Sequence, residues 1–244
     1  MRLKKFHFLL AGSLLLAMGL QSCDTDSDDS YALLQPTALV TVCPQSDQSV
    51  IFQLDDATQL IPVNLKKSPY GDKEVRALVN YSLVSGEAKA SVQNVNVNWI
   101  DSIRTKTPVL VKDGDGTKFA NDPVEVIRDW VTVAEDGYLT LRLRTVWGGY
   151  GRIHTVDLIH DGNSETPLTF ELRHNAAGDL TGNMGDALIA FNLNEIIKDS
   201  QKPVKIKLKW HSFSGDKSAE FSLGSRAKTA NQSGNLPQCT SMLQ

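Results

Sequence analysis

Residues 130–160 read WVTVAEDGYLTLRLRTVWGGYGRIHTVDLIH. Apolar and polar residues alternate along this stretch, with breaks at Asp136-Gly137 and Gly148-Gly149. Leu139, Leu141 and Leu143 fall on one face of a strand, and Thr140, Arg142 and Arg144 on the other. A period of two marks half-buried antiparallel strands. Asp-Gly supplies the positive-φ residues that a tight hairpin needs. The stretch therefore predicts the centre of a β-sheet onto which later strands pack, and it sets the fold class as all-β.

Working toward the C-terminus, the same reading extends over residues 121–223, which we assign to one antiparallel β-sandwich. Strands are predicted over 124–127, 130–134, 138–146, 152–159, 167–173, 188–193, 204–210 and 219–223. Turns fall at Asp161-Gly162-Asn163, Ala177-Gly178-Asp179 and Ser214-Gly215-Asp216. One short helical turn is expected near Glu195–Ser200. Val204, Ile206, Leu208 and Trp210 should face inward, with Lys205, Lys207 and Lys209 outward, where lysines discourage edge-to-edge aggregation.

Working toward the N-terminus, residues 36–110 carry five short strand candidates: 38–42, 50–54, 60–63, 74–84 and 92–103. In the last, Val95, Val97 and Trp99 are expected on one face and Asn94, Asn96 and Asn98 on the other. Five strands in so short a segment suit a small OB-like barrel. Residues 111–120 read as a turn-rich linker. Its Asp113-Gly114-Asp115 resembles the start of a calcium loop, but the further acidic ligands are missing and no metal site is assigned.

The first 22 residues form a leader. Arg2, Lys4 and Lys5 are followed by an apolar run from Phe6 to Leu20, then Leu20-Gln21-Ser22-Cys23. The run is shorter than the roughly 20 residues of a permanent transmembrane helix. The L-x-x-C ending resembles a lipobox, which implies cleavage before Cys23 and lipidation of its thiol. The plainer alternative is an ordinary cleaved signal. Several acyl chains on one cysteine would anchor stably, at about 0.8 kcal/mol per buried methylene. Residues 23–35 form an acidic tether. Its Asp24-Thr25-Asp26-Ser27-Asp28-Asp29-Ser30 has no apolar residue and resembles the surface-export tag of Bacteroidetes lipoproteins. Residues 224–244 form a polar tail read as largely disordered. Cys43 and Cys239 could join in an oxidising compartment, although two cysteines alone do not decide between that bond and separate thiols.

The chain has 244 residues and a formal net charge of −3. With Arg2, Lys4 and Lys5 set aside, 22 basic residues face 28 acidic ones. That balance argues against a nucleic-acid partner. The sparse aromatics of the first domain argue the same way.

Several separate segments resemble one family. They are KKSPYGDKEVRA at 66–77, VNWIDSIRTK at 97–106, DWVTVAEDGY at 129–138 and KWHSFSG at 209–215. Together they resemble the NigD-like lipoproteins of Bacteroides and Prevotella. The resemblance implies an N-terminal OB domain, a C-terminal β-sandwich and a lipid anchor. The family takes its name from a bacteriocin gene cluster, which implies immunity as one role. It supplies no site residues to carry over.

No H-x-x-x-H, G-x-S-x-G or P-loop pattern is present, so no catalytic residue and no cofactor is assigned. Arg142, Arg144, Arg152, His154, Arg173 and His174 would make a basic face able to bind an anionic glycan or a carboxylate-bearing partner, if their strands are neighbours. The plainer reading is a solvated face balanced by Asp157 and Glu171. Tyr138, Trp147 and Tyr150 are placed at a hairpin end, where loop aromatics stack on sugars or anchor an interface. The expectation is a non-catalytic module anchored at the outer membrane through Cys23, with an envelope protein or glycan as partner. Bacteriocin immunity, a structural envelope role and an envelope hydrolase with paired carboxylates are the alternatives.

Overall fold

The computed structural model describes residues 34–84, 91–112, 115–149, 151–163, 167–198 and 203–224. The leader, Cys23, Tyr150, Cys239 and the tail from residue 225 lie outside the described residues. The described chain is all-β, apart from a 3-10 turn at Asp115–Lys118 and one helical turn, α1 (Asn194–Ile197).

Five strands close a barrel in the order β1-β2-β3-β5-β4. They are β1 (Ala38–Pro44), β2 (Val50–Gln53), β3 (Gln59–Pro62), β4 (Val75–Leu83) and β5 (Val92–Ser102). β3 and β5 pair in parallel and the other neighbours are antiparallel. This order is that of an OB barrel. Alternation fills the interior with Val40, Val42, Phe52, Leu60, Ala77, Val79 and Val95, and each large side chain so buried contributes about 1.5–3 kcal/mol. β1 breaks the half-buried pattern, because its first six residues are all buried. Its second face, Leu39 among it, packs against the next domain.

The sandwich has two sheets. In the first, β6 (Arg104–Lys106), β13 (Asn183–Asn192), β10 (Tyr138–Trp147) and β8 (Glu125–Ile127) lie side by side, and β9 (Val133–Glu135) also pairs with β10. In the second, the order is β15 (Gly215–Leu223), β14 (Val204–Ser212), β12 (Leu168–Asn175), β11 (Thr155–His160) and β7 (Val109–Leu110). Leu139, Leu141 and Leu143 meet Phe170, Leu172, Ile206, Leu208 and Trp210 in the core between them. The predicted inward faces of β10 and β14 are therefore found as expected.

Three expectations change. The sandwich is not wholly antiparallel, because β12 pairs with β14, β13 with β6 and β11 with β7 in parallel. Trp99 does not share a face with Val95 and Val97. Asn80 pairs with Trp99 while Tyr81 pairs with Val97, so Asn98 is the extra residue of a β-bulge and the alternation inverts there. Ile100, not Trp99, then joins the barrel core. Residues 104–110, read from the sequence as the end of the first domain, hydrogen-bond into the sandwich: β6 pairs with β13 and β7 with β11.

The outer face of the first sheet packs on the barrel wall. Leu39, Leu78 and Ile103 meet Val131, Val133, Leu188 and Ala190. A polar cluster lies beside them around Arg76, whose side chain is wholly buried. Its guanidinium donates to Glu135 at 2.7 Å, to Thr41 at 2.9 Å and to Thr140 at 3.4 Å. It also lies 5.6 Å from the Tyr138 ring centre. The Tyr138 hydroxyl donates to Glu74 at 2.6 Å, and the Cys43 thiol reaches the other Glu74 oxygen at 3.6 Å. Burial pushes the Glu135 carboxyl above its ordinary range while Arg76 pulls it back. The Asp136-Gly137 turn fits here because both residues have positive φ, 50° and 77°. A Cβ on Gly137 would come within 1.9 Å of Asn194.

Candidate functional site

The sequence grouped six basic residues on one face and three aromatics at a hairpin end, and the structure divides both groups. Arg142 and Arg144 lie on β10 in the first sheet, whereas Arg173 and His174 lie on β12 in the second. They do not form one basic face. Arg142 and Arg144 both clamp Asp186 at 2.5 Å, and Arg142 also binds Asp129 at 2.8 Å. Hydrogen bonds from Arg144 first, then Arg142, hold the Asp186 carboxyl at about 2. Arg173 turns outward and donates to Glu171 at 2.5 Å. Tyr138 is also removed from the site: it is wholly buried at the domain junction, at the opposite end of β10 from Trp147. β10 and β11 lie in different sheets, so they do not form the expected hairpin.

Trp147, Arg152, His154 and His174 do converge, at the end of the sandwich where β10 stops. Trp147 stacks on His154 with ring centres 4.8 Å apart and planes 22° apart. His154 Nδ1 lies 3.0 Å from His174 Nε2, and His154 Nε2 lies 3.3 Å from Asp179 Oδ2. His174 Nδ1 faces the carbonyls of Asp122 and Pro123 at 3.3 and 3.2 Å. Two acceptors require the proton on Nδ1, so His174 Nε2 accepts from His154 Nδ1–H. Burial first, and then His154, push the His174 imidazole below its ordinary range, which favours this neutral form.

The network fixes loops. Asp179 accepts from the Gly148 N–H at 3.0 and 2.9 Å. Arg152 donates to the Ala177 carbonyl at 2.9 Å. Gly182, at φ 143°, passes over the Trp147 carbonyl, where a Cβ would sit 2.4 Å from that oxygen. These crossings hold apolar side chains out in water: Ile153 is 79% exposed, Leu180 57%, Met184 54% and Trp147 46%. Exposed apolar groups gathered at one end mark an interaction site more often than single ones do.

Trp147 and Ile153 also border a cavity of about 220 Å³. Val124, Leu143, Val156, Ile153 and Trp147 line it, and Arg104 and Lys106 stand at its mouth. The Lys106 ammonium donates to the Val156 carbonyl at 2.9 Å and pairs with Asp157. Arg104, Lys106, Asp179 and Ile153 escaped the sequence reading. Asp179 was visible only as a turn residue, and the rest carried no signal of their own. Among the described residues, no cluster of His, Cys, Asp and Glu fits a metal ion. Cys43 is buried beside Glu74, and its suggested partner Cys239 lies outside the described residues.

Residues 39–103 match the NigD-like N-terminal OB domain, and residues 107–223 match the NigD-like C-terminal beta sandwich domain. The chain belongs to the NigD-like family. Solved structures agree with that assignment. A Parabacteroides distasonis protein, provisionally described as toxin-related, is 27% identical with a TM-score of 0.63, over 77% of this chain and 92% of its own. A Bacteroides vulgatus protein of unknown function is 18% identical with a TM-score of 0.60, over 80% and 93%. A NigD-like immunity protein from Bacteroides caccae is 23% identical with a TM-score of 0.54, over 76% and 91%. No curated protein matches. The shared architecture of this NigD-like chain is therefore shown, and its chemistry has to be read from the site. No helix among the described residues is long and apolar enough to cross a membrane.

Proposed function

We propose that this NigD-like chain is a non-catalytic binding module tethered to the outer membrane by a lipid on Cys23. Its binding end is the mouth of the sandwich cavity, where Trp147 and Ile153 lie exposed. The observation that carries this reading is the exposed apolar rim held by a buried His154–His174–Asp179 network. A side-chain network that spends its hydrogen bonds on loop carbonyls and amides preorganises a surface, and preorganisation lowers the entropic cost of binding. Among the described residues, no hydroxyl or thiol is hydrogen-bonded to either histidine, so the pair does not resemble an activated nucleophile. The acidic tether after Cys23 supports display on the cell surface.

Two experiments test the reading. Copurification from cross-linked cells, together with a glycan array, should recover a protein or glycan with the wild-type chain. The Trp147→Ser, Ile153→Ser double variant should lose that partner while keeping its fold. A partner retained by the double variant would move the binding site elsewhere. Fractionation tests the anchor: Cys23→Ser should leave the membrane fraction, and protease shaving of intact cells should remove the wild-type protein while a periplasmic control survives. Immunity would be a special case of protein binding, recognised by toxin sensitivity on deletion of the gene.

A further inference from the structure

The cavity lies between two strand edges that have no strand partner among the described residues. β13 pairs with β6 only at Ile189–Phe191, and β11 pairs with β7 only at Ile159 and His160. Residues 183–188 of β13 therefore have β10 on one side and, among the described residues, no strand on the other. The matching stretch of β11 is partly occupied, because Lys106 takes the Val156 carbonyl. The β13 edge has no such side-chain cover. Alternate residues along it turn their N–H and C=O groups away from β10.

The side chains on this edge leave room. Gly185 and Ala187 pair with Thr145 and Leu143 and so take the inward positions of β13. Their small size opens the cavity that Val124, Leu143 and Val156 floor. The free edge of β15 differs. It carries Lys217 and Glu220, and charges of this kind blunt an edge. At the β6 end, the exposed Arg104 side chain makes no hydrogen bond or ion pair among the described residues.

We propose that the β13 edge at 183–188 accepts an extended segment of a partner protein as an added strand. The segment seats one large apolar side chain in the cavity and sets an acidic residue against Arg104. Backbone pairing supplies affinity in such complexes, and pockets for alternate side chains supply selectivity. This inference rests on the reading of the sandwich end as a binding site and adds the class of partner and the mode.

The test is a linear heptapeptide phage library panned on the detergent-solubilised full chain. Enriched peptides are made synthetically and followed by fluorescence anisotropy. Strand addition predicts peptides with one invariant apolar position. N-methylation at residues of one parity should weaken binding at least tenfold, and methylation at the other parity should leave it unchanged. Ala187→Leu, which fills the cavity from β13, should weaken binding by a similar factor, and Arg104→Glu should reverse the preference for an acidic residue. Failure to enrich any peptide would overturn the proposal. So would binding indifferent to both N-methylation and Ala187→Leu. Either result, combined with a partner still lost in the Trp147→Ser, Ile153→Ser variant, would remove strand addition and leave the binding module standing.

Discussion

In the barrel, every strand has two neighbours, and a parallel pairing of β3 with β5 over four residues completes the ring. In the sandwich, the flanking strands β6 and β7 pair with their neighbours over only three and two residues. Alternating strands of similar composition thus give one domain with no edges and one with an open flank. Part of the barrel's outer apolar surface is covered by the sandwich through Leu39, Leu78 and Ile103. In the proposed reading the barrel is a closed base, and the open flank of the sandwich meets the partner.

If the base and the sandwich form one unit, breaking the junction should unsettle both. Arg76→Ala strands the half-buried Glu135 without its partner, and loss of one member of a buried pair costs about 3–5 kcal/mol. Denaturant unfolding should show that loss, and an unchanged midpoint would contradict the junction. Leu141→Ala in the sandwich core should cost about 2–5 kcal/mol. It should lower the same single transition that a barrel probe reports, and separate transitions would show that the domains unfold independently. Gly137→Ala places a side chain at positive φ and against Asn194, costing about 1–3 kcal/mol in the same melts.

The smaller effects follow pH. The His174 imidazole titrates below its ordinary 6.5 in the folded chain, so the unfolded chain binds the proton first as pH falls. Stability from this group is present above pH 6.5 and declines as pH drops through that value toward the lower folded pKa. Glu135 works in the opposite sense. Its folded pKa lies above the ordinary 4.5, so its contribution is fullest below that value and is lost as pH rises through the folded pKa. Melts at pH 7.5 and 5.5 should show a steeper acid loss for the wild type than for His174→Asn. Equal slopes would contradict the buried neutral histidine. Arg144→Ala, at an exposed pair, should change stability least of all.

Many strands were legible because most obey a period of two and several turns carry a glycine. Leu139 to Leu143 and Val204 to Trp210 fall inward as their spacing predicts. What escaped depends on pairing rather than on local pattern. Asn98 reads as one more step of an alternation, and only its partner strand makes it a bulge. Arg76 and Glu135 are 59 positions apart and meet because the barrel wall docks on β10. His154 and His174 were visible as basic residues, but their placement inside the sandwich mouth, away from Arg142 and Arg144, follows from the division into two sheets. Three of the four segments that carry the family resemblance contain Glu74 and Arg76, Ile103, or Glu135 and Tyr138. What makes the family recognisable here is thus largely the domain junction. An unpaired edge has no composition of its own, so the open flank could not be read in advance.

The most direct measurement compares the two regions in the cell. A photo-crosslinking amino acid is placed at Ile153 on the sandwich rim, or at Val63 on the barrel, which is 52% exposed. After illumination of intact cells, a discrete adduct from position 153 and none from position 63 is the predicted result. An adduct from position 63 alone, or none from position 153 under conditions where the protein is folded and anchored, would contradict a binding site on the open end of the sandwich.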